Sequence, residues 1–295
     1  MTGRGGRLFI TGGAGGLGRA LAARYGRDGW RVCIGDVDRE GGVRTAEALS
    51  RAGADVHFLA CDVTRDRDLE AAAAWVDDRW GGVDVVVNNA GVAVAGPITE
   101  VPLADWQWIV DINLLGVVRG CRAFVPLLRR AGGGHLVNIA SLAGLVHAPF
   151  MAPYNASKAA VVALSETLRA ELAPSGVQVH VVCPSFFRTG IAASARTRGE
   201  RVERLAHGLV GGARLGPDEI ADRIHRGVAR GRFLILTHPE GRALSLVKRW
   251  APSVLAAGLP VLARRLQAGS APRARGARRA AWRAWRDVSG RAGRA

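Results

Sequence analysis

The sequence predicts an α/β fold: a single Rossmann-type, doubly wound parallel sheet of about seven strands, with helices on both faces and a C-terminal helical and basic extension. Residues 7–11 are a short apolar run, followed by five glycines between positions 12 and 18 and then by a helical pattern. Further apolar runs alternate with helical patterns, and the valine-rich run at 83–87 is typical of a strand buried on both faces of a parallel sheet. A chain of 295 residues that is 48% hydrophobic is long enough to bury one large core.

The elements follow in chain order. Strands are predicted at 7–11, 31–36, 56–63, 83–89, 135–141, 177–185 and 232–239. Helices are predicted at 17–29, about 40–52, 69–80, 103–130 as one long helix, 154 to about 174, and from Pro217 onward. We predict three regions: an α/β domain over residues 1–240, an amphipathic helical extension over 241–268 that Pro252 and Pro260 divide into short pieces, and a basic tail over 269–295 that is disordered in isolation.

The glycine-rich loop is typical of dinucleotide binding. A strand, a glycine turn and a helix follow one another, which lets the backbone approach a pyrophosphate and places its charge at a helix N-terminus. The loop fits three spacings: G-x-G-x-x-G at Gly13, Gly15 and Gly18, G-x-x-G-x-x-G at Gly12, Gly15 and Gly18, and G-x-x-x-G-x-G at Gly12, Gly16 and Gly18. The loop alone does not choose among them.

The second predicted strand ends in Asp36, eighteen residues after Gly18. A carboxylate at this place accepts hydrogen bonds from the adenosine ribose hydroxyls and repels a 2′-phosphate, so it favours NAD over NADP. Arg39, three residues further on, partly offsets that repulsion. The alternative interpretation is that Asp36 only caps a turn.

A second set of polar residues lies in the stretch 138–158, NIASLAGLVHAPFMAPYNASK. Tyr154 and Lys158 are four residues apart, so a helix would place them one turn apart on one face. A nearby ammonium favours the phenolate and lowers the pKa of a tyrosine from its usual value of about 10. Ser141, thirteen residues before Tyr154 at the end of a predicted strand, would orient a substrate oxygen. The alternative, a chance Tyr and Lys on a surface helix, is disfavoured by this serine and by the glycine loop.

Together these motifs resemble the classical short-chain dehydrogenases/reductases over roughly residues 5–240. The matching residues, in the family's order, are Thr11 to Gly18 (TGGAGGLG), Asp62-Val63, Asn88-Asn89-Ala90-Gly91, Asn113, Ser141 and Tyr154-Asn155-Ala156-Ser157-Lys158. The downstream motifs choose the classical glycine spacing. The resemblance implies an NAD(P)-dependent enzyme acting on CH–OH groups, with Asn113, Ser141, Tyr154 and Lys158 as its catalytic residues.

The resemblance also implies which residues contact the cofactor. Asp62 and Val63 match a pair that contacts adenine, Thr189 matches a residue that contacts the nicotinamide carboxamide, and Asn113 matches a helix kink that holds a water near the lysine. Ser185 departs from the glycine usual after Pro184. The expected cofactor-binding residues are Thr11, Gly12, Gly16, Leu17, Gly18, Asp36, Asp62, Val63, Asn89, Ala90, Gly91, Tyr154, Lys158, Pro184 and Thr189.

The expected reaction interconverts an alcohol and a ketone. Tyr154 transfers the proton while the nicotinamide exchanges the hydride, Lys158 also bonds the nicotinamide ribose, and no metal is needed. Three other classes compete: a sugar-nucleotide epimerase or dehydratase, a non-catalytic cofactor sensor, and a platform for nucleic acid. The Asn88–Gly91 turn argues against the first and the complete Asn-Ser-Tyr-Lys set against the second. For the third, any basic tail binds DNA weakly, so such binding would not establish it.

Apolar residues after Ser141 and near position 186 indicate a lipophilic secondary alcohol or ketone as the small-molecule substrate. They are Leu145, Val146, Phe150, Met151, Phe186 and Phe187. Residues 191–215 predict a mobile lid over the site. His147 is not expected to be a second acid–base group, because Tyr154 fills that role. Trp106 and Trp108 are expected in packing, and the apolar face of the helix from Tyr154 suits subunit packing in a homodimer or homotetramer.

Composition indicates a cytoplasmic protein. The sequence holds no run of eighteen uncharged apolar residues, and a strand begins almost at once, which leaves no room for a signal peptide. Cys33, Cys61, Cys121 and Cys183 lie in apolar patterns without a C-x-x-C pair, so we expect buried free thiols rather than disulfides or a metal site.

The net charge of +16 arises mainly in the C-terminal part, since residues 240–295 hold 13 Arg/Lys and 2 Asp/Glu, a net of +11. Apolar clusters within 243–266, and Trp282 and Trp285 further on, lie beside these basic residues. Two interpretations stay open. The extension packs over the substrate site or a neighbouring subunit, which we favour, or it contacts an anionic membrane surface. No specific nucleic-acid partner is expected.

Overall fold

A parallel sheet of seven strands carries the fold. The computed structural model describes residues 5–188, 190–192, 194–199, 203–204, 208 and 211–267. Within them, the strands of the sheet are β1 (Arg7–Thr11), β2 (Arg31–Asp36), β3 (Asp55–Ala60), β4 (Val85–Asn88), β6 (Gly134–Ile139), β7 (Val177–Val182) and β9 (Leu234–Ile235). Their order is β3-β2-β1-β4-β6-β7-β9, which reverses direction between β1 and β4. Two short strands, β5 (Val94–Ala95) and β8 (Arg196–Thr197), form a separate parallel pair.

Helices connect the strands and cover both faces of the sheet. They are α1 (Gly16–Arg27), α2 (Arg39–Arg51), α3 (Asp66–Trp80), α4 (Leu103–Val110), α5 (Gly116–Arg130), α6 (Ala152–Leu172), α7 (Pro217–Ala229), α8 (Pro239–Trp250) and α9 (Pro252–Gln267). A π-helical turn, Asp111–Leu115, joins α4 to α5. Short 3₁₀ turns lie at Leu142–Gly144, Ala173–Ser175 and Gly190–Ala192.

Two apolar layers hold the helices against the sheet. On one face Phe9 stacks on Phe124 of α5, with ring centroids 4.2 Å apart. On the other face Ile10 packs in one cluster with Leu21 of α1 and Ile224 of α7. Neighbouring strand residues point to opposite faces, so Phe9 and Ile10 enter different layers. Each such buried side chain contributes roughly 1.5–3 kcal/mol of hydrophobic free energy.

The predicted fold class is confirmed, most predicted elements agree to within a few residues, and three features differ more clearly from the prediction. The last strand is two residues long rather than eight, because Pro239 lacks a backbone N–H and starts α8. The long helix predicted over 103–130 contains the π-helical turn. The prediction that Pro260 divides the extension is wrong: Pro260 lies inside α9, which continues past the hydrogen bond that proline cannot make.

The four cysteines are buried free thiols, as predicted. Burial raises the pKa of the Cys61 and Cys121 thiols to about 12, which keeps them protonated and weakly reactive. In the part of the chain that the structure describes, no helix is long and apolar enough to cross a lipid bilayer.

Two buried histidines form a hydrogen-bonded pair between β6 and β7. His180 Nδ1 lies 2.7 Å from the carbonyl oxygen of Arg232 and donates to it, which leaves Nε2 to accept from His135 Nδ1 at 2.9 Å. Burial and the neighbouring His180 lower the pKa of His135 to about 4, and burial also lowers the pKa of His180. The fold therefore holds both imidazoles neutral.

We expect this pair to make the protein sensitive to acid. The unfolded chain takes up a proton on His135 below pH about 6.5, whereas in the folded chain His135 stays neutral down to pH about 4. The stabilisation is therefore complete above pH 6.5 and is lost as the pH falls toward 4. Urea unfolding at pH 7 and at pH 5 measures how much unfolding free energy each protein loses between the two pH values. This loss should be smaller in His135→Gln than in the native chain by about 1–2 kcal/mol. An equal loss in the native chain and His135→Gln would contradict this account.

Candidate active site

The glycine loop after β1 forms an open cradle. A Cβ on Gly18 would lie 2.0 Å from the carbonyl oxygen of Gly12, and Gly16 has a φ of +52°, where side chains are rarely found. Gly15, by contrast, faces free space, with no heavy atom within 4 Å of a Cβ built there. No side chain caps the N-terminus of α1, so its first N–H groups point out of the helix end. These features fit a dinucleotide pyrophosphate.

Hydrogen bonds between Thr11 and Asn89 fix the cradle to the turn after β4. Asn89 Nδ2 donates to the carbonyl oxygens of Thr11 and Gly12, at 2.9 and 3.0 Å. The Thr11 hydroxyl accepts from the N–H groups of Asn89 and Ala90, at 3.0 Å each. These two predicted cofactor-binding residues therefore use their side chains to shape the loop where the strand order reverses.

Asp36 is attached to the same loop. Its Oδ2 accepts the N–H of Ala14 at 2.9 Å, and its Oδ1 accepts the N–H of Asp38 at 3.0 Å. The half-buried carboxylate thus caps the turn after β2, as the alternative interpretation held, and also reaches the edge of the cradle. The hydrogen bonds from Ala14 and Asp38 thus place one carboxylate both in the turn and at the edge of the cradle.

Asp62, Val63 and Leu17 lie near the cradle, with their side chains engaged in the fold. Asp62 Oδ1 accepts from the N–H and the hydroxyl of Thr64, at 2.9 and 2.7 Å. Burial raises the pKa of Asp62, but these hydrogen bonds outweigh that effect and lower it. Val63 and Leu17 are buried in opposite core layers.

Ser141, Tyr154 and Lys158 converge beyond the end of β6. Ser141 starts a 3₁₀ turn two residues after the strand, Tyr154 lies in the first turn of α6, and Lys158 lies one turn later. Lys158 Nζ donates to the carbonyl oxygen of Ile139 at 2.9 Å and lies 6.0 Å from the centroid of the Tyr154 ring. The structure thus brings the three residues together, at the spacing that the sequence predicts.

Burial controls the protonation of both titrating groups. It raises the pKa of Tyr154, and a hydrogen bond with the Ser141 side chain acts in the opposite direction. It lowers the pKa of Lys158 to about 8, so the ammonium form still predominates at neutral pH. The sequence interpretation has Lys158 lowering the pKa of Tyr154. In the structure, the loss of water around the phenol is the larger effect.

Asn113 lies fully buried in the π-helical turn, next to the lysine. Its Oδ1 accepts the N–H of Val92 at 2.8 Å, and its Nδ2 donates to the Val92 carbonyl at 2.9 Å and to the Ser157 hydroxyl at 3.2 Å. A Cβ on Gly91 would lie 3.2 Å from Asn113 Oδ1 and 3.3 Å from Lys158 Nζ. The carboxamide, the ammonium and the glycine therefore meet at one point.

Three buried residues support the site although sequence reasoning gave them no role. Ser157 links its own helix to the π-helical turn, and Asn155 Nδ2 donates to the carbonyl of Ala148 at 2.8 Å. The thiol of Cys183 accepts the backbone N–H of Ser141, and burial raises its pKa to about 12. Asn155 and Ser157 lie inside the Tyr–Lys motif, where a signal existed, but Cys183 lies in an ordinary apolar strand pattern.

An apolar cluster borders the Tyr154 ring. Its members are Val94, Val101 and Ile109, with Val92, Trp106, Trp108 and Val110 packed against it, so the two tryptophans pack as predicted. Val146 and Met151 are half-buried. Leu145 and Phe187 pack against the two layers of the core, which makes them core residues rather than free wall residues.

Phe150 has a backbone conformation that is rare outside glycine. Its φ is +63°, which costs on the order of 1–2 kcal/mol for a residue with a Cβ. The N–H of Gly96 donates to the Phe150 carbonyl at 2.8 Å and holds this strained turn beside the site. His147, in the same segment, contacts the extension, with Lys248 Nζ 3.1 Å from its Nε2.

One part of the predicted mobile lid is firmly attached. The carboxylate of Asp105, in α4, accepts from Arg196 at 2.9 Å and from Arg198 at 2.5 Å. The hydrogen bond from Arg198 holds the pKa of Asp105 below its usual range. The Arg196 guanidinium also lies 3.7 Å from the centroid of the Trp108 ring. These contacts join residues 196–198 to α4.

Pro184 and Thr189 are the last two of the predicted cofactor-binding residues. The carbonyl of Pro184 accepts the N–H of Leu142 at 2.8 Å, beside Ser141. Thr189 lies outside the described residues, as do several positions within 191–215.

Known proteins share this fold and these motifs. The pattern of the family described as short chain dehydrogenase matches residues 7–200. The chain is 31% identical over 255 residues to the CLA biosynthesis dehydrogenase/reductase of Lactiplantibacillus plantarum, covering 79% of this chain and 88% of that protein. It is 34% identical over 226 residues to 3beta-hydroxysteroid dehydrogenase 1 of Eggerthella lenta, covering 74% and 84%.

Two solved structures illustrate the structural likeness. A short-chain dehydrogenase/reductase from Burkholderia phymatum in complex with NAD is 34% identical, with a TM-score of 0.79 over 84% of this chain and 94% of that chain. A variant of actinorhodin polyketide ketoreductase with NADPH is 31% identical, with a TM-score of 0.69 over 79% and 95%.

A doubly wound sheet with a glycine cradle at its reversal point and a Ser-Tyr-Lys cluster beside it defines a nicotinamide-dependent oxidoreductase. The chain belongs to the short-chain dehydrogenase/reductase family, whose members are NAD(P)-dependent enzymes.

We expect Asn113→Ala to destabilise the protein. The change leaves the N–H and the carbonyl of Val92 without their partners in a buried place, which should lower the free energy of unfolding by about 2 kcal/mol or more. Urea unfolding monitored by circular dichroism measures this loss. Thr167→Ala, which removes an exposed hydroxyl on α6, should change stability by less than about 0.5 kcal/mol. Similar losses in the two variants would show that Asn113 does not hold the helix turn.

Proposed function

We propose that the protein interconverts a lipophilic secondary alcohol and its ketone, with NAD favoured over NADP. One observation carries the proposal: Ser141, Tyr154 and Lys158 converge beside the apolar cluster at the carboxyl end of the sheet. A proton-transfer group, a positive charge and an apolar surface for the substrate lie together there.

The side chains of the cluster divide the acid–base work. The cofactor, when bound, supplies hydride exchange at nicotinamide C4. Tyr154 Oη gives a proton to the substrate oxygen, or removes it in the opposite direction. The Ser141 hydroxyl, which already hydrogen-bonds Tyr154, orients that oxygen. Lys158 keeps a positive charge near the phenol, which favours the phenolate. We also propose that Lys158 hydrogen-bonds the nicotinamide ribose.

We assign Asn113 to the proton path behind the tyrosine. Its Oδ1 and Lys158 Nζ both lie next to Gly91, so a water there would contact the amide and the ammonium together. Asn113 is held by Val92 and Ser157, and its position is therefore set before any substrate enters.

The preference for NAD rests on Asp36. Hydrogen bonds from Ala14 and Asp38 fix its carboxylate at the edge of the cradle, where it accepts ribose hydroxyls and repels a 2′-phosphate. We assign the pyrophosphate to residues 12–18, the adenine to Asp62 and Val63, and the nicotinamide side to residues 89–91, Pro184 and Thr189.

The substrate class follows from the surfaces around Tyr154. The apolar cluster, together with Val146, Phe150 and Met151, offers an apolar surface for a lipophilic substrate beside the phenol. A hydroxysteroid dehydrogenase and a ketoreductase are among the proteins that this chain resembles, and both names fit an alcohol–ketone reaction.

A spectrophotometric screen tests the proposal. The absorbance of reduced nicotinamide is followed with NAD and secondary alcohols, and with NADH and ketones, in paired sets of steroid, long-chain and short polar compounds. We expect turnover with the steroid or long-chain set in at least one direction. Turnover confined to short polar compounds or sugar nucleotides would refute the substrate class.

We expect Tyr154→Phe to lower kcat by roughly 10²–10⁴-fold, because phenylalanine keeps the ring and loses the transferable proton. Cofactor affinity, measured by fluorescence titration with NADH, should stay nearly unchanged. Tyr25 is the chain's other tyrosine and is buried in a core layer, so Tyr25→Phe is the matched control and should keep the native rate. Lys158→Met should differ from both variants by weakening cofactor binding as well. Native kcat in Tyr154→Phe would exclude the mechanism.

We expect Asp36→Asn to reduce the ratio of kcat/KM for NAD to kcat/KM for NADP by about tenfold or more, because it removes the charge that repels the 2′-phosphate. Asparagine keeps an oxygen that can accept from Ala14, so the loop should keep its shape. Asp38→Asn, at the N-cap of α2, is the control and should leave the ratio unchanged. A native enzyme that prefers NADP would show that Arg39 outweighs the carboxylate.

A further inference from the structure

A groove lined by five arginines lies at the β9 edge of the sheet. Its volume is about 380 Å³, and its arginines are Arg223, Arg226, Arg230, Arg232 and Arg242. Arg223 donates to the carbonyl of Thr237, which fixes it as part of the wall. The other four are exposed, and no ion pair is found for any of the five among the described residues. No Asp or Glu lines the groove.

The nearby carboxylates of α7 do not neutralise this charge. Asp222 forms an ion pair with Arg24, at 2.8 Å, and Glu219 accepts the N–H of Gly216 at 2.9 Å. These two and the third carboxylate of the helix, Asp218, lie in its first half, whereas the arginines lie in its second half and in the residues after it. The groove therefore presents a concentrated positive charge to an anion.

An apolar stripe begins in the groove and runs along α8. Arg242, Leu246 and Trp250 are spaced four residues apart, so they share one face of the helix. Leu246 and Trp250 are 57% and 76% exposed, which is unusual for side chains of this size. The opposite face packs on the segment that contains Leu142 and His147, since Gly241 lies beside Leu142 and Lys248 beside His147.

Helix α9 extends the apolar surface. It has sixteen residues and no acid, and none of the side chains that the structure describes in it is buried. Leu262 is 40% exposed, and Arg264 is exposed at the same end. The described apolar side chains of this helix are at most half-buried, so the helix has less of the packing that usually stabilises a helix.

We propose that the arginine groove and the exposed faces of α8 and α9 form one surface that binds an anionic lipid bilayer. The groove takes phosphate headgroups, while Leu246, Trp250 and Leu262 enter the boundary between headgroups and acyl chains. The association is peripheral, as for helices that lie in the plane of the membrane surface. It does not depend on which substrate the active site takes.

Charge and polarity together select the bilayer over other partners. Nucleic acid would engage the arginines, but it offers no apolar phase for Leu246, Trp250 and Leu262. A symmetric pair of copies would set the same face against itself and bring two arginine grooves together, which like charges oppose. An anionic surface with an apolar layer beneath it satisfies both parts, and the net charge of +11 over residues 240–295 adds to the attraction.

The test is co-sedimentation of the full-length protein with vesicles at moderate salt. One set of vesicles holds phosphatidylglycerol and phosphatidylcholine, and the other holds phosphatidylcholine alone. A groove variant carries Arg226→Gln, Arg230→Gln and Arg232→Gln, and a stripe variant carries Leu246→Ser and Trp250→Ser. The charge control removes three exposed arginines near the opposite edge of the sheet, with Arg44→Gln, Arg51→Gln and Arg67→Gln.

We expect the native chain and the charge control to bind anionic vesicles and not neutral ones. The groove variant and the stripe variant should each bind at least about tenfold more weakly, with native thermal unfolding midpoints and native cofactor binding. Equal binding by all four proteins would place the interaction in the basic tail and overturn the proposal. The proposal would also be overturned if the native chain did not bind anionic vesicles. It would be overturned if duplex DNA released the protein from vesicles and bound the stripe variant as well as the native chain. A changed oligomer mass in the groove variant with unchanged vesicle binding would overturn it as well.

Discussion

The structure depends on the hydrogen bonds that join Thr11 to Asn89. They tie the loop after β1 to the turn after β4, at the one place in the sheet where neighbouring connections leave in opposite directions. The loop has little side-chain support of its own, because five of its residues between positions 12 and 18 are glycines. Since the same turn carries Gly91 up to Asn113 and Lys158, a single set of bonds aligns the nucleotide cradle with the acid–base residues.

Two kinds of environment meet at the site and serve different purposes. The polar residues around Lys158 are held by backbone groups, which do not titrate. Around the phenol the surroundings are apolar, which removes water and raises the pKa of Tyr154.

Most of the fold and most of the site could be predicted from the sequence, because glycine spacing, valine runs and the Ser–Tyr–Lys spacing are local signals. The predicted and observed strands agree to within a few residues, except for the last one. This edge strand pairs on one side only, and only two of its residues pair with the neighbouring strand. The arrangement around Asp105 could not be predicted. Its arginine partners lie 91 and 93 residues away, and a carboxylate inside a helical pattern gives no sign of which distant cations will reach it. The balance of desolvation against charge at Tyr154 likewise depends on packing.

Beside the Ser-Tyr-Lys cluster, chain segments that are far apart in sequence hold one another in place. Asp105 holds the segment of Arg196 and Arg198, and the inner face of α8 rests on the segment that includes Leu142 and His147. Each piece takes its shape from another piece rather than from the sheet. Substitutions in these segments are therefore coupled, because exchanging one segment removes the partner that shapes its neighbour.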